Sequence, residues 1–192
     1  MGVASPYGRL ILVVGPSGVG KDTLIDGARA WLADDPRFAF VQRDITRPRE
    51  AGGENHSAVS IETFLQRRSS GEYALSWGAH QLYYGIPKTI EALFPQGVSA
   101  IVNGSRSVIG DARKGFRGCT IISIRAKTET LRKRLMTRAR ETAEQIDQRL
   151  QRATAFTVEG PDVIEVWNDG TPEEGVTRFI DAVMAERSVV TA

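Results

Sequence analysis

The feature that most restricts this chain is the run over residues 9–14, Arg-Leu-Ile-Leu-Val-Val, followed at once by Gly15-Pro16-Ser17-Gly18-Val19-Gly20-Lys21. The run is apolar, rich in β-branched residues and without polar alternation. That pattern predicts a strand buried on both faces, as in a parallel sheet. A helical pattern then extends from Lys21 to about Leu32. Two glycines separated by four residues and followed by lysine, set between a buried strand and a helix, have the spacing of a phosphate-binding loop. Glycines let successive backbone N–H groups converge on phosphate oxygens, at a helix N-terminus whose dipole also favours anions. Lys21 adds a full positive charge near the β- and γ-phosphates. A tight glycine turn without a ligand is the alternative, and the strand–loop–helix context argues against it.

Three similar apolar runs follow, at Val98–Val102, Thr120–Ile124 and Val163–Trp167, each leading into a helical segment. Alternation of buried strands with helices predicts an α/β fold with a parallel sheet flanked by helices, a P-loop NTPase architecture. The last helix carries its own start signal: Thr171 as N-cap, Pro172 in the first turn and Glu174 closing a capping box. Val176, Phe179, Ile180, Val183 and Met184 fall on one face at helical spacing. Residues 38–87 break the alternation, being rich in Arg, Gly, Ser, Tyr and Trp with short strand signals. They read as an inserted acceptor-binding region. With 192 residues the expectation is a single domain spanning 1–192, with that insert and a lid at about 138–152.

Net charge is only +2, and no aromatic platform is evident, so nucleic-acid binding is not expected. The basic residues are concentrated instead. Between Arg125 and Arg152 there are nine Lys or Arg against four acids, which points to an anionic ligand. Arg134, Arg138 and Arg140 end one helical run. Thr142-Ala143-Glu144-Gln145 then reads as a capping box opening another, with Ile146, Leu150 and Ala153 on one face and Arg149 and Arg152 off it. Two helices meeting at an arginine-rich turn suit a lid over a transferring phosphoryl group. Arg138, Arg140 and Arg149 are its catalytic candidates, and a solvated basic face is the alternative for any one of them. The single cysteine, Cys119, cannot form an internal disulfide and lies in an apolar run, so buried packing is expected. No run reaches membrane-span length, no signal peptide or myristoylation motif opens the chain, and a cytoplasmic location is expected. The oligomeric state is not fixed by the sequence; a homodimer is compatible with it.

The position that often carries a magnesium-binding Ser or Thr holds Asp22, with Thr23 after it. Asp22 is the metal candidate; helix capping is its alternative role. The strand Val98–Val102 ends in Asn103-Gly104-Ser105-Arg106, where a strand-end acid is common. The missing carboxylate is expected from Asp22 or Asp44.

Gly-Pro-Ser-Gly-x-Gly-Lys, Thr46-Arg47-Pro48-Arg49, Tyr84-Gly85, the arginine lid and Asn168-Asp169 together resemble the guanylate kinase family over nearly the whole chain. The resemblance implies a nucleoside-monophosphate-kinase-like fold using ATP and Mg²⁺. It places Arg47 and, one position out of register, Arg49 on the acceptor phosphate. It also places Asn168 and Asp169 beside the adenine. The acids that read guanine in that family are absent: Ala74-Leu75-Ser76-Trp77 and Asn103 stand in their places. Unpaired guanine donors would discriminate against GMP.

A second group of motifs is more specific. Gly20-Lys21-Asp22, Arg43-Asp44-Ile45-Thr46-Arg47-Pro48, Gly53-Glu54-Asn55-His56, Trp77-Gly78-Ala79-His80, Tyr84-Gly85-Ile86-Pro87 and Val102-Asn103-Gly104-Ser105-Arg106 look like the ribose 1,5-bisphosphate phosphokinase family of phosphonate catabolism. That implies transfer from ATP to the 1-phosphate of a phosphosugar. Arg43, Arg47, Arg49 and Arg106 suit its two phosphates. Asn55, His56 and His80 suit its hydroxyls, and Tyr84 suits a pocket wall; a structural role remains the alternative for each histidine. An already anionic acceptor needs no general base, whereas a hydroxyl acceptor would want one, with Asp44 the candidate. A non-catalytic guanylate-kinase-like interaction module is the rival from another class, and the intact phosphate loop argues against it.

Overall fold

The computed structural model describes residues 7–49, 54–137, 142–154 and 157–185. Two sheets organise them. Five parallel strands run in the order β2–β7–β1–β8–β9: β1 is Leu10–Val14, β2 Phe38–Phe40, β7 Ser99–Asn103, β8 Cys119–Arg125 and β9 Val163–Trp167. All five residues of β1 are fully buried, because β7 and β8 flank it and helices cover both faces. Its side chains alternate between two cores. Ile11 and Val13 pack with Ile101, Ile122, Ile124 and the helices α1 (Lys21–Trp31) and α6 (Pro172–Ala185). Leu10, Leu12 and Val14 pack on the other face with Val102, Ile121 and Ala112 of α3 (Ile109–Gly115). Cys119 is buried in that second core, and burial pushes its thiol up to about 12.

The second sheet has the order β4–β3–β6–β5, with β3 at Asp44–Ile45, β4 at Ser57–Ala58, β5 at Tyr73–Ala79 and β6 at Leu82–Pro87. Helix α2 (Ile61–Ser69) lies against it through the buried Phe64. Ser60 caps α2 by accepting the Thr63 N–H at 3.0 Å. The β5–β6 hairpin turns through His80 and Gln81, whose φ values of 52° and 61° match the right-handed strand twist. Phe38–Phe40 runs in the main sheet, so the inserted part begins after Phe40 rather than at 38. Pairing of β2 with β7 draws those residues into the core.

Both capping boxes form. Glu174 N–H donates to Thr171 Oγ1 and Thr171 N–H to Glu174 Oε2, each at 3.3 Å. Thr142 N–H donates to Gln145 Oε1 at 3.0 Å, and Gln145 N–H to Thr142 Oγ1 at 3.4 Å. The second box opens α5 (Ala143–Thr154), which packs on α4 (Thr128–Thr137) through Ile146 and Leu150 against Leu131 and Leu135. An Arg132–Asp147 ion pair at 2.7 Å links the two helices at the surface. Among the described residues no helix is long and apolar enough to cross a membrane.

Candidate active site

In an open parallel sheet, ligands bind beyond the carboxyl ends of the strands. Here those ends carry the motif residues: Gly15 onward after β1, Asn103 to Arg106 at the end of β7, and Asn168–Asp169 after β9. The phosphate loop closes with Gly18 and Gly20 at φ 86° and 98°. Gly20 is the N-cap of α1 and supplies no side-chain cap, so the helix's first N–H groups face the loop mouth without a competing oxygen. Lys21 Nζ donates to the Gly15 carbonyl at 2.8 Å and the Pro16 carbonyl at 3.2 Å. Burial lowers its pKa to about 8, with Asp22 and Glu54 opposing that shift and Arg43 and Arg106 adding to it. The loop lysine therefore has residues from four segments of chain around it.

Asp22 lies in the first turn of α1 and does not cap it. Its Oδ1 accepts from Asn103 Nδ2 at 2.8 Å. The same nitrogen donates to Glu54 Oε2 at 3.0 Å, and Glu54 Oε1 accepts from Arg43 Nη2. Two carboxylates from other parts of the chain, Asp22 and Glu54, thus meet the Asn103 amide at the end of β7. Glu54 was legible only as part of the Gly53-Glu54-Asn55-His56 motif, with no role marking it out. Arg43 is buried, and its guanidinium lies 5.5 Å from the Trp77 ring and 5.1 Å from the Tyr84 ring. Those two rings stack as a cross-strand pair at 5.3 Å. The Tyr84 phenol is shifted upward by burial, with Arg43 and Arg47 pulling the other way. Arg106 is partly buried, and that burial lowers its pKa. Arg43 Nε, Arg47 Nε and Asn103 Oδ1 are buried polar atoms without a hydrogen-bond partner.

Several expected ligands face elsewhere. Asp44 is buried, but its Oδ2 accepts from Arg67 Nη1 at 2.6 Å and from the Tyr73 hydroxyl at 2.7 Å, on the acceptor sheet. That geometry gives it a structural partner on each side and does not bring it to Lys21 with Asp22 and Glu54. His56 is 2% exposed, with Nδ1 near the Glu54 carbonyl (2.9 Å) and Nε2 near the Arg47 carbonyl (3.1 Å). Arg47 Nη2 also lies 3.4 Å from Nδ1, so the loop encloses the ring on both nitrogens. Asn55 is exposed and its Oδ1 accepts from Gln42 Nε2 at 2.7 Å. His80 is exposed at the hairpin tip, and Arg49 is exposed at the end of the first described stretch.

On the nucleotide side, a cavity of about 570 Å³ lies between the loop, α4 and the end of β9, lined by Gly18, Gly20, Thr23, Arg134, Asn168 and Asp169 among others. Asn168 is buried and its Nδ2 donates to the Val19 carbonyl at 2.8 Å. Arg134, not singled out by the sequence as a ligand, donates to the same carbonyl at 3.2 Å. Asp169 Oδ1 accepts the Lys127 N–H at 2.8 Å, fixing the loop after β8. Of the arginines expected in a lid, Arg149 reaches the phosphate loop, its Nη1 donating to Ser17 Oγ at 2.7 Å. Arg138 and Arg140 lie outside the described residues.

A glycine-rich loop, its buried lysine and arginines from two sides define a P-loop kinase. The chain matches the family model described as guanylate kinase over residues 7–169. It is 41% identical over 176 residues to a ribose 1,5-bisphosphate phosphokinase of Brucella melitensis, covering 92% of each chain. It is 42% identical over 165 residues to that of Agrobacterium fabrum, covering 86% of this chain and 90% of the relative. The crystal structure of guanylate kinase from Anaplasma phagocytophilum shares the fold, with a TM-score of 0.65 at 19% identity over 97% of this chain and 90% of that one. The chain belongs to the guanylate kinase family and, within it, to the ribose 1,5-bisphosphate phosphokinases.

Proposed function

We propose that this protein transfers the γ-phosphoryl group of ATP to the 1-phosphate of ribose 1,5-bisphosphate, giving ADP and 5-phosphoribosyl 1-diphosphate, as a cytoplasmic step of phosphonate catabolism. The observation that carries this is the acceptor corner: Arg43 Nε and Arg47 Nε are buried donors without acceptors, beside Glu54 and the unpartnered Asn103 Oδ1. Donors for anions and acceptors for hydroxyls in one place suit a phosphosugar. No carboxylate stands on the β5 strand before Tyr84-Gly85, where guanine readers would be.

In this reading an oxygen of the 1-phosphate attacks the γ-phosphorus. The new P–O bond forms as the bond to the β,γ-bridging oxygen breaks and ADP leaves with that electron pair. The nucleophile is already anionic, so no proton has to be removed, and catalysis rests on alignment and charge stabilisation. Lys21 exchanges the Gly15 and Pro16 carbonyls for β- and γ-phosphate oxygens. The loop N–H groups of Gly15 to Thr23 hold the remaining phosphate charge. Arg149, which reaches the phosphate loop at Ser17, stabilises charge on the transferring group, with Arg138 and Arg140 the other catalytic candidates of the lid at about 138–152. Arg43 and Arg47, from the acceptor region that follows Phe40, orient the acceptor together with Arg106 from the end of β7, with Tyr84 as a pocket wall and Arg49 as an outer contact. Asn168 and Asp169 shape the adenine side. The single domain divides in this way into core, acceptor region and lid.

Mg²⁺ would neutralise charge on the β- and γ-phosphates. Asp22, in the first turn after the phosphate loop with its Oδ1 held by Asn103 Nδ2, is the hard oxygen donor that fits it. Among the described residues no group of three or more His, Cys, Asp or Glu forms a metal cage, in keeping with an ion held by one carboxylate, waters and substrate phosphates.

The test is ADP release from Mg-ATP with ribose 1,5-bisphosphate or GMP as acceptor. Turnover with the bisphosphate alone supports the proposal. Turnover with GMP alone refutes it.

A further inference from the structure

Asn103 stands between two carboxylates. Its single Nδ2 donates to both Asp22 and Glu54, and its Oδ1 is buried with no donor, in a residue only 8% exposed. Asp22 belongs to the phosphate loop. Glu54 comes from the acceptor region and also pairs with Arg43. Asp22 Oδ1 and both Glu54 oxygens each accept one protein donor and keep lone pairs to spare, while the buried Asn103 Oδ1 has none. Ionised carboxylates and amide carbonyls accept only, so what completes them is an O–H or N–H donor, not an anion. Arg43, which pairs with Glu54, and Arg47, which like Arg43 acts on the Tyr84 phenol, each keep a buried Nε donor without a partner. A phosphate goes to those arginines and is repelled from the Asp22–Glu54 side. A neutral hydroxyl next to that phosphate goes to Glu54 and Asn103.

Resting on the proposed acceptor, we infer that Glu54 and Asn103 form a hydroxyl-reading pair that makes the site selective for ribose over deoxyribose bisphosphates. The side chains that sequence alone favoured for this task are engaged or remote. His56 has both ring nitrogens on backbone carbonyls, Asn55 Oδ1 is held by Gln42, and His80 sits at an exposed turn. Arg43, which lies against Trp77 and Tyr84, holds Glu54, and Asn103 Nδ2 holds the other oxygen of the same carboxylate. A carboxylate accepting a ribose hydroxyl is also how dinucleotide sites read that sugar. A buried site built to hydrogen-bond a hydroxyl rejects the analogue that lacks it, because its acceptors are left unpaired.

The experiment compares kcat/KM for ribose 1,5-bisphosphate with that for its 2-deoxy and 3-deoxy analogues, in the parent enzyme and in Glu54→Gln. The parent should lose about 10²-fold or more with at least one analogue. Glu54→Gln should lower ribose turnover while shrinking that ratio to a few-fold. Parent turnover of both analogues within about threefold of ribose would overturn the inference while leaving the proposed reaction intact; that arm needs no variant to fold. A Glu54→Gln enzyme that is active with unchanged discrimination would also overturn it. No turnover of ribose 1,5-bisphosphate by the parent would refute the reaction itself and this inference with it.

Discussion

Asn168 Nδ2 donates to the Val19 carbonyl at 2.8 Å across 149 residues of chain, tying the end of β9 to the phosphate loop. The bond is buried, and the amide adds a prop to the loop beside the one from Arg134. Removing it leaves a buried carbonyl short of a donor. Asn168→Ala should cost about 1–3 kcal/mol of stability and raise the KM for ATP more than it lowers kcat. Chemical denaturation with steady-state kinetics checks both. Unchanged stability would mean that Arg134 alone holds the carbonyl.

The fit around that amide predicts a reversal of an ordinary helix rule. Gly175 lies inside α6, where Gly→Ala usually stabilises by about 0.5–1 kcal/mol. Here a Cβ would come within 2.4 Å of Asn168 Oδ1 and 2.9 Å of Leu24 Cδ2. Gly175→Ala should therefore lower the melting temperature and weaken nucleotide binding, as Asn168 is pushed off Val19. A raised melting temperature would contradict the packing.

Much of this was legible because it is local. The buried strand, the glycine loop and α1 are contiguous in sequence, and the capping boxes at Thr171 and Thr142 span four residues each. What was not legible is non-local or too short to show a period. Strands β3 and β4 have two residues each, so nothing announced that Asp44 would turn toward Arg67 and Tyr73. Glu54 meets Asn103 across 49 residues. His56, a natural candidate ligand, is instead taken up by two carbonyls that only the folded loop brings to it.

Lys21 carries a pH dependence with a definite sign. Burial holds its pKa near 8 in the free protein, and bound phosphates raise it. Above pH 8 nucleotide binding should therefore take up a proton, and affinity should fall as pH rises. Below about pH 7 uptake at this group should vanish. Calorimetry of ADP binding at pH 9, in buffers of different ionisation enthalpy, should show up to one proton taken up by the parent and less by Lys21→Met. Equal uptake by the two proteins would place the titration elsewhere.

Arg149 reaches Ser17 Oγ at 2.7 Å from helix α5. Arg149→Met should reduce kcat about 10²–10³-fold, the scale for removing a charge stabiliser of the transferring group, with a smaller change in the KM for ATP. Arg149→Lys should recover part of the loss, since lysine restores charge but not the planar fork. Ser17→Ala should cost far less than Arg149→Met. Comparable losses would make the hydrogen bond to Ser17, and not the phosphoryl group, the purpose of the arginine.

The most direct measurement is the phosphorus spectrum of the product formed from Mg-ATP and ribose 1,5-bisphosphate. Transfer to the 1-phosphate predicts a pair of coupled diphosphate resonances on the sugar, with the 5-phosphate monoester unchanged. A third monoester resonance, or no sugar diphosphate at all, would contradict the assignment of the acceptor oxygen.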